Sequence, residues 1–361
     1  MTKPTGFLFA LTILALLLAS CAKAPATPVA PATPTPAGPT FTNPLNNGGP
    51  DPWMTYYEGN YYLATTTGGA TLATGLTMRK APTIDLLKKA EPEKIWSDSD
   101  NMRCCQYWAP EFHLLDGPNG KHWYGLFTGG PSKCCSDQHL MVIESKGTDP
   151  MGPYTFKADL NDGYDRWFID GSYLKLNNKL YLIYSAFTQG KEGQGPQSLY
   201  IMEMSDPWTL TGDRHLLANP TLKWETLTGT VNEGPVALYH GDKTYIVYSG
   251  NGCWGPNYAL GMLTYQGGDP LQQASWKKSD QPVFKGTDKV WSPGHNTFMK
   301  SPDGSEDWII YHANDTAQGV CDDKRSTRIQ KFTWNADGTP NFGTPVPPGV
   351  PIPVPSGEKQ P

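Results

Sequence analysis

The sequence predicts an all-β chain folded as a five-bladed β-propeller. Three observations predict it: a composition rich in aromatics and turn formers, a fivefold hairpin repeat, and a polar residue at matching positions in each repeat. The 361 residues include 38 Gly and 34 Pro, and aromatics reach 12%. Many short strands separated by frequent turns produce such a composition. Charged residues are 17%, and the formal net charge is −5 without a dense Lys/Arg cluster. That excludes a nucleic-acid footprint. Aromatic surface without basic charge suits a neutral ligand such as a sugar, whose C–H faces stack on rings while its hydroxyls take hydrogen bonds.

The repeat comprises Trp53–Thr67, Phe112–Gly129, Ser172–Phe187, Val236–Gly250 and Thr297–Ala313. Each segment is an apolar or aromatic strand, a tight turn and a second strand, which reads as a β-hairpin with alternating burial. The turn residues Gly59, Gly120, Asn178, Gly241 and Gly304 follow one another at intervals of 61, 58, 63 and 63. These intervals exceed a typical propeller blade of roughly 40–50 residues, the excess being outer strands and long loops. A sandwich has no need of five equivalent hairpins. Radial closure protects their edges, and helix content is expected to be very low.

The ends carry different signals. Lys3 precedes an apolar run from Gly6 to Ser20, short for a bilayer span. It ends in Leu18-Ala19-Ser20-Cys21, which resembles a bacterial lipobox whose cysteine receives lipid. Ala22 after the cysteine resembles lipoproteins sent to the outer membrane. The expected layout is a signal peptide over 1–20, a Pro/Ala/Thr-rich tether over 21–41, a catalytic propeller over 42–345 and a loosely ordered Pro-rich tail over 346–361. An exported chain favours disulfides, and at least one is expected between the pairs Cys104/Cys105 and Cys134/Cys135. Cys253 and Cys321 pair with each other or with that set. The protein is expected to act as a monomer.

Within the repeat, Asp51, Asp170 and Glu233 each lie eight residues before the turn residue, while Glu111 and His295 lie nine before it. This register places five ionisable groups around one funnel. Crowded carboxylates must differ in pKa, which separates an acid from a base. Hydrolysis of a glycosidic bond uses such a pair.

The segments Asn43-Pro44 with Asp51-Pro52, Trp108-Ala109-Pro110-Glu111, Phe168-Ile169-Asp170-Gly171, Asn232-Glu233-Gly234-Pro235 and Gly294-His295-Asn296 resemble, in order, glycoside hydrolase family 43. The resemblance spans about residues 41 to 345. It implies a five-bladed propeller that hydrolyses arabinose- or xylose-containing chains with inversion. Asp51 is then the general base, Glu233 the general acid, and Asp170 the group that tunes and orients Glu233. Leu260-Gly261-Met262-Leu263 and Thr327-Arg328-Ile329-Gln330-Lys331-Phe332 resemble the exo-acting α-L-arabinofuranosidase branch. The family's endo-arabinanases and β-xylosidases would share all three carboxylates. A non-catalytic sugar-binding propeller would need no such trio. Trp108, Trp53, Asn232 and Arg328 are the candidate sugar contacts. No cofactor is required on this reading, and His295 resembles a histidine near a structural calcium in some family members.

Overall fold

In this computed structural model the described residues are Met1, 38–67, 75–135, 137–164, 167–189 and 193–359. Apart from Met1, the expected signal peptide, Cys21 and most of the expected tether lie outside them. Among the described residues no helix is long and apolar enough to cross a membrane.

Residues 36–361 form one compact unit built on five four-stranded antiparallel sheets. The innermost hairpins are Trp53–Tyr57 with Asn60–Ala64, Cys105–Gly117 with Gly120–Gly130, Phe168–Leu176 with Lys179–Phe187, Asn232–His240 with Lys243–Gly250, and Trp291–Lys300 with Asp307–Asn314. These are the five expected hairpins, one per blade. Each adds two outer strands in sequence order, so every sheet is a meander. The turn residues hold the left-handed conformation that a tight hairpin requires, with φ of 85° at Gly59 and 61° at Asn178. The one α-helix among the described residues, Ile84–Lys89, is capped by the Thr83 hydroxyl accepting from the Leu86 amide at 3.2 Å.

Alternate strand residues bury against opposite neighbours. Leu126, Leu140 and Val142 of blade 2 pack with Phe168, Leu182 and Tyr184 of blade 3. Phe127, Met141 and Ile143 of blade 2 turn the other way, onto Tyr62 and Met78 of blade 1. Three further clusters fill the contacts between blades 3 and 4, 4 and 5, and 5 and 1. The core is thus five wedges, and strands covered on both faces read as nearly continuous apolar runs.

The tail departs from expectation. Pro351–Pro353 pairs antiparallel with Thr40–Thr42, Ile352 and Phe41 are buried, and the Ser356 amide donates to Glu306. The apolar Ile352 and Val354 anchor the segment in the wedge between blades 1 and 5, so the domain extends past residue 345. The same junction is held by Asn43, whose side chain exchanges hydrogen bonds with the Ile329 backbone at 2.8 and 3.1 Å.

The cysteines also depart from expectation. Cys104 bonds to Cys105 and Cys134 to Cys135, so neither pair bridges to the other. Each pair sits where its own backbone turns the two side chains together. Cys253 bonds to Cys321 with a Cα separation of 5.1 Å, joining loops of blades 4 and 5.

Candidate active site

The inner strands share a local irregularity at one end. Asp51, Ala109, Asp170, Gly234 and His295 occupy equivalent places in the five blades, and all have positive φ, between 45° and 56°. In blades 2 to 5 the pairing of the inner hairpin is bulged beside that residue. A bulge re-aims the side chain next to it. Here the bulges turn Asp170, Glu233 and His295 toward Asp51, which lies just before the first strand of blade 1, and the four line one pocket of about 680 Å³, a size suited to a small ligand.

Gly234 shows why the local sequence is fixed. Its φ is +56°, and a Cβ there would stand 3.2 Å from the His295 ring. Its amide donates to Asp170 Oδ2 at 3.2 Å. A side chain would strain the backbone and press on the histidine at the centre of the site.

Asp51 sits among cationic and donor groups. Arg325 Nη1 donates to Oδ1 at 2.8 Å, His295 Nδ1 lies 3.3 Å from Oδ1, and the Thr66 hydroxyl donates to Oδ2 at 2.6 Å. Burial pushes its pKa up, but Arg325, His295 and His312 together hold the carboxyl well below the usual range. Asp51 is therefore ionised. His312 receives the Asp51 amide on Nδ1 at 3.1 Å. Burial and the Arg325 charge lower its pKa to about 4, so it is neutral near pH 7.

The opposite wall is different. Burial raises Asp170 to about 7, the charges of Glu233 and Asp51 add to that rise, and His295 works against it. Glu233 is also raised, first by burial and further by the Asp51 charge, against His295 and a hydrogen bond from Tyr258. The Tyr258 hydroxyl donates to Oε1 at 2.7 Å and Gln197 Nε2 to Oε2 at 3.3 Å. Asp170 and Glu233 titrate as a pair, and the pair retains a proton near neutrality. The site holds an ionised carboxylate on one side and a proton-bearing pair on the other, which is what acid–base hydrolysis needs.

His295 stands between them. Burial lowers its pKa, but the three carboxylates outweigh burial and the net shift is upward. Asp170, Glu233 and His295 can bring one ligand atom each within 4.8 Å of one another. Calcium takes six to eight oxygen ligands. Two carboxylates and an imidazole that already faces Asp51 do not match such a cage.

Of the expected sugar contacts, Trp108 lines the pocket beside Trp167, with the rings edge to face at 6.2 Å. The other three do not reach it. Trp53 is buried between blades 1 and 2 against Phe112 and Trp123, because alternation along its strand turns it to the wedge. Asn232 is fully buried behind the pocket wall, where its carbonyl accepts from Ser185. Arg328 is fully buried on the third strand of blade 5, paired with Asp315 and Ser326. The arginine in the pocket is Arg325, at the end of the loop before that strand. Glu111 is also absent from the pocket lining. Ala109 takes the bulge position in blade 2, and Glu111, two residues further on, meets His113 at 3.1 Å and Ser172 at 3.3 Å in a separate cavity along the channel.

Comparison with known proteins agrees with this geometry. Residues 41–340 match the family model for glycosyl hydrolases family 43. The chain is 35% identical, over 97% of its length and 72% of the relative's, to an extracellular exo-α-(1→5)-L-arabinofuranosidase of Streptomyces avermitilis. It is 31% identical to a protein of the same name from Streptomyces chartreusis, over 81% of this chain and 88% of that one. The crystal structure of an α-L-arabinofuranosidase from Lactobacillus brevis superposes with a TM-score of 0.75 at 32% identity, covering 86% of this chain and 98% of that one. The chain belongs to glycosyl hydrolases family 43 and is a glycoside hydrolase.

Proposed function

From the premise of a family-43 hydrolase, we propose an inverting, exo-acting α-L-arabinofuranosidase that releases arabinose from arabinan or arabino-oligosaccharides. One observation carries the reading. Arg325 and its neighbours keep Asp51 ionised, while burial raises the Asp170–Glu233 pair across the same pocket. Asp51 accepts a proton from water as that water attacks the anomeric carbon. Glu233 gives its proton to the departing oxygen. Asp170 holds that proton in the pair by its nearby charge and, through the Gly234 amide, fixes the backbone beside Glu233.

Exo action is supported by the rim. Blades 2, 3, 4 and 5 each supply loop residues around the carboxylates, at Cys134 and Cys135, Gly193 and Gly195, Cys253 and Trp254, and Asp322 and Asp323. A surrounded pocket accepts a chain end more readily than a chain middle. The names of the Streptomyces relatives support the same sugar and the same mode of action.

For location, the lipobox-like Leu18-Ala19-Ser20-Cys21 supports export and lipid attachment at Cys21, with 21–41 as the tether to an outer membrane. The test of function is hydrolysis of aryl α-L-arabinofuranoside against aryl β-D-xyloside, then of linear arabinan. Fast release from the arabinofuranoside with slow release from the xyloside is expected. The reverse preference would make the protein a β-xylosidase, and rapid internal scission of arabinan would make it an endo-arabinanase.

A further inference from the structure

A second cavity of about 420 Å³ opens in blade 4 and the start of blade 5. Trp224 and Trp291 give it ring surface, and Asn257, Gln281 and Lys285 give it polar groups. The Trp224 indole N–H has no hydrogen-bond partner among the described residues.

This cavity and the catalytic pocket share one wall. Thr230, Val231, Cys253 and Trp254 line the pocket, whereas Leu227, Pro256, Asn257 and Tyr258 line the second cavity. The two segments are tied together. Leu227 and Thr228 donate their amides to Asn251 Oδ1 at 2.8 and 3.1 Å, and the Asn251 amide donates to the Val231 carbonyl at 3.0 Å. The Cys253–Cys321 bond braces the crest from blade 5. Tyr258 connects both sides, since the residue belongs to the wall of the second cavity and its buried hydroxyl donates to Glu233.

At the crest stands Trp254, 54% exposed. One side of its indole lies so close over Gly229 and Gly252 that a Cβ at either would collide with the ring. An exposed indole seated on bare backbone and braced by a disulfide loses little freedom when a ligand lies on it.

We propose that the second cavity binds the sugars that follow the terminal one, so that an α-linked arabinofuranose chain runs from the catalytic pocket over Trp254 into the space beside Trp224 and Trp291. The ligand class rests on the arabinan reading above. Flat rings with amide and ammonium donors, and no acidic side chain in the lining, suit a neutral polyhydroxylated chain.

The test uses steady-state kinetics of the wild type, Trp291→Ala and Lys285→Ala on aryl α-L-arabinofuranoside and on α-1,5-linked arabino-oligosaccharides from disaccharide to hexasaccharide. In the wild type, KM is expected to fall as the chain lengthens. Trp291→Ala should raise KM on the longest chains by about tenfold, the loss of one good contact, with kcat and KM on the aryl glycoside unchanged. Lys285→Ala, at an exposed position that does not threaten folding, should give a smaller change in the same direction. A wild-type KM that ignores chain length overturns the proposal. So does an equal loss on aryl and long substrates, which marks general damage. A wild type that fails on the aryl arabinofuranoside overturns the arabinan reading itself and the ligand assigned here with it.

Discussion

Replacing Arg325 with Gln removes the cation nearest Asp51 and leaves a shorter, neutral, polar side chain. The guanidinium lies 2.8 Å from Oδ1 and is the foremost group holding the carboxyl down against burial. Two unit charges about 4 Å apart interact by ~4 kcal/mol at an effective dielectric constant near 20. At 1.36 kcal/mol per pKa unit that corresponds to roughly 3 units. The His295 charge and the Thr66 hydroxyl remain in the variant, so an upward shift of about 1–2 units is the reasonable expectation, within the range for carboxylates beside arginine. As the proposed base Asp51 works ionised, so a higher pKa means activity is lost at a higher pH as the solution is acidified. The acid limb of kcat/KM, which reports the free enzyme, should therefore move up by that amount, and raising the pH should restore rate until the general acid deprotonates. The assay is a pH–rate profile on aryl α-L-arabinofuranoside. An unmoved acid limb with only a raised KM would refute the reasoning and leave Arg325 as a substrate contact alone.

Further outcomes follow from the same contacts. Asp51→Ala should cost about 10²–10⁴-fold in kcat on every substrate, since no other group takes the proton from water; residual rate that varies strongly with leaving group would contradict the base role. Glu233→Ala should slow sugar leaving groups most and spare activated aryl ones in part, measured as the ratio of the two rates. Asp170→Asn removes a negative charge beside Glu233, so the basic limb of the profile should move down, and a limb that moves up would reject the pairing. Cys253→Ser with Cys321→Ser opens a loop of 68 residues, expected to cost about 2–4 kcal/mol and to appear as a lower Tm in calorimetry.

The sequence carried the blades because each hairpin spells its own turn, and a Gly or Asn at positive φ is visible as a residue type. Asp51 and Asp170 are legible because their spacing to that turn matches their shared place in the blades, whereas Glu233 has the same spacing but stands one residue before that place, which Gly234 holds. The bulges were not legible. A bulge adds a residue to one strand without marking its composition, so Glu111 was counted into the ring although Ala109 holds that position. Arg328 reads as a sugar contact for a related reason: alternation points a strand residue inward without saying whether inward means wedge or pocket. Trp53 failed in the same way, its ring being consumed by the contact with Phe112 and Trp123. The tail looked loose because its prolines outweigh two apolar residues, yet Ile352 and Val354 meet a groove made by residues some 300 positions earlier. Adjacent cysteines gave no local signal at all for pairing within rather than between couples.

In the proposed mechanism Asp51 activates water on one face of the sugar while Glu233 protonates the leaving oxygen on the other. Inversion at the anomeric carbon follows from that geometry. Proton NMR of the first sugar released from an α-L-arabinofuranoside, recorded before mutarotation, tests it most directly. The expected first product is β-arabinose. Arabinose released as the α-anomer would contradict it, because retention requires a carboxylate bonded to the sugar rather than one that activates water.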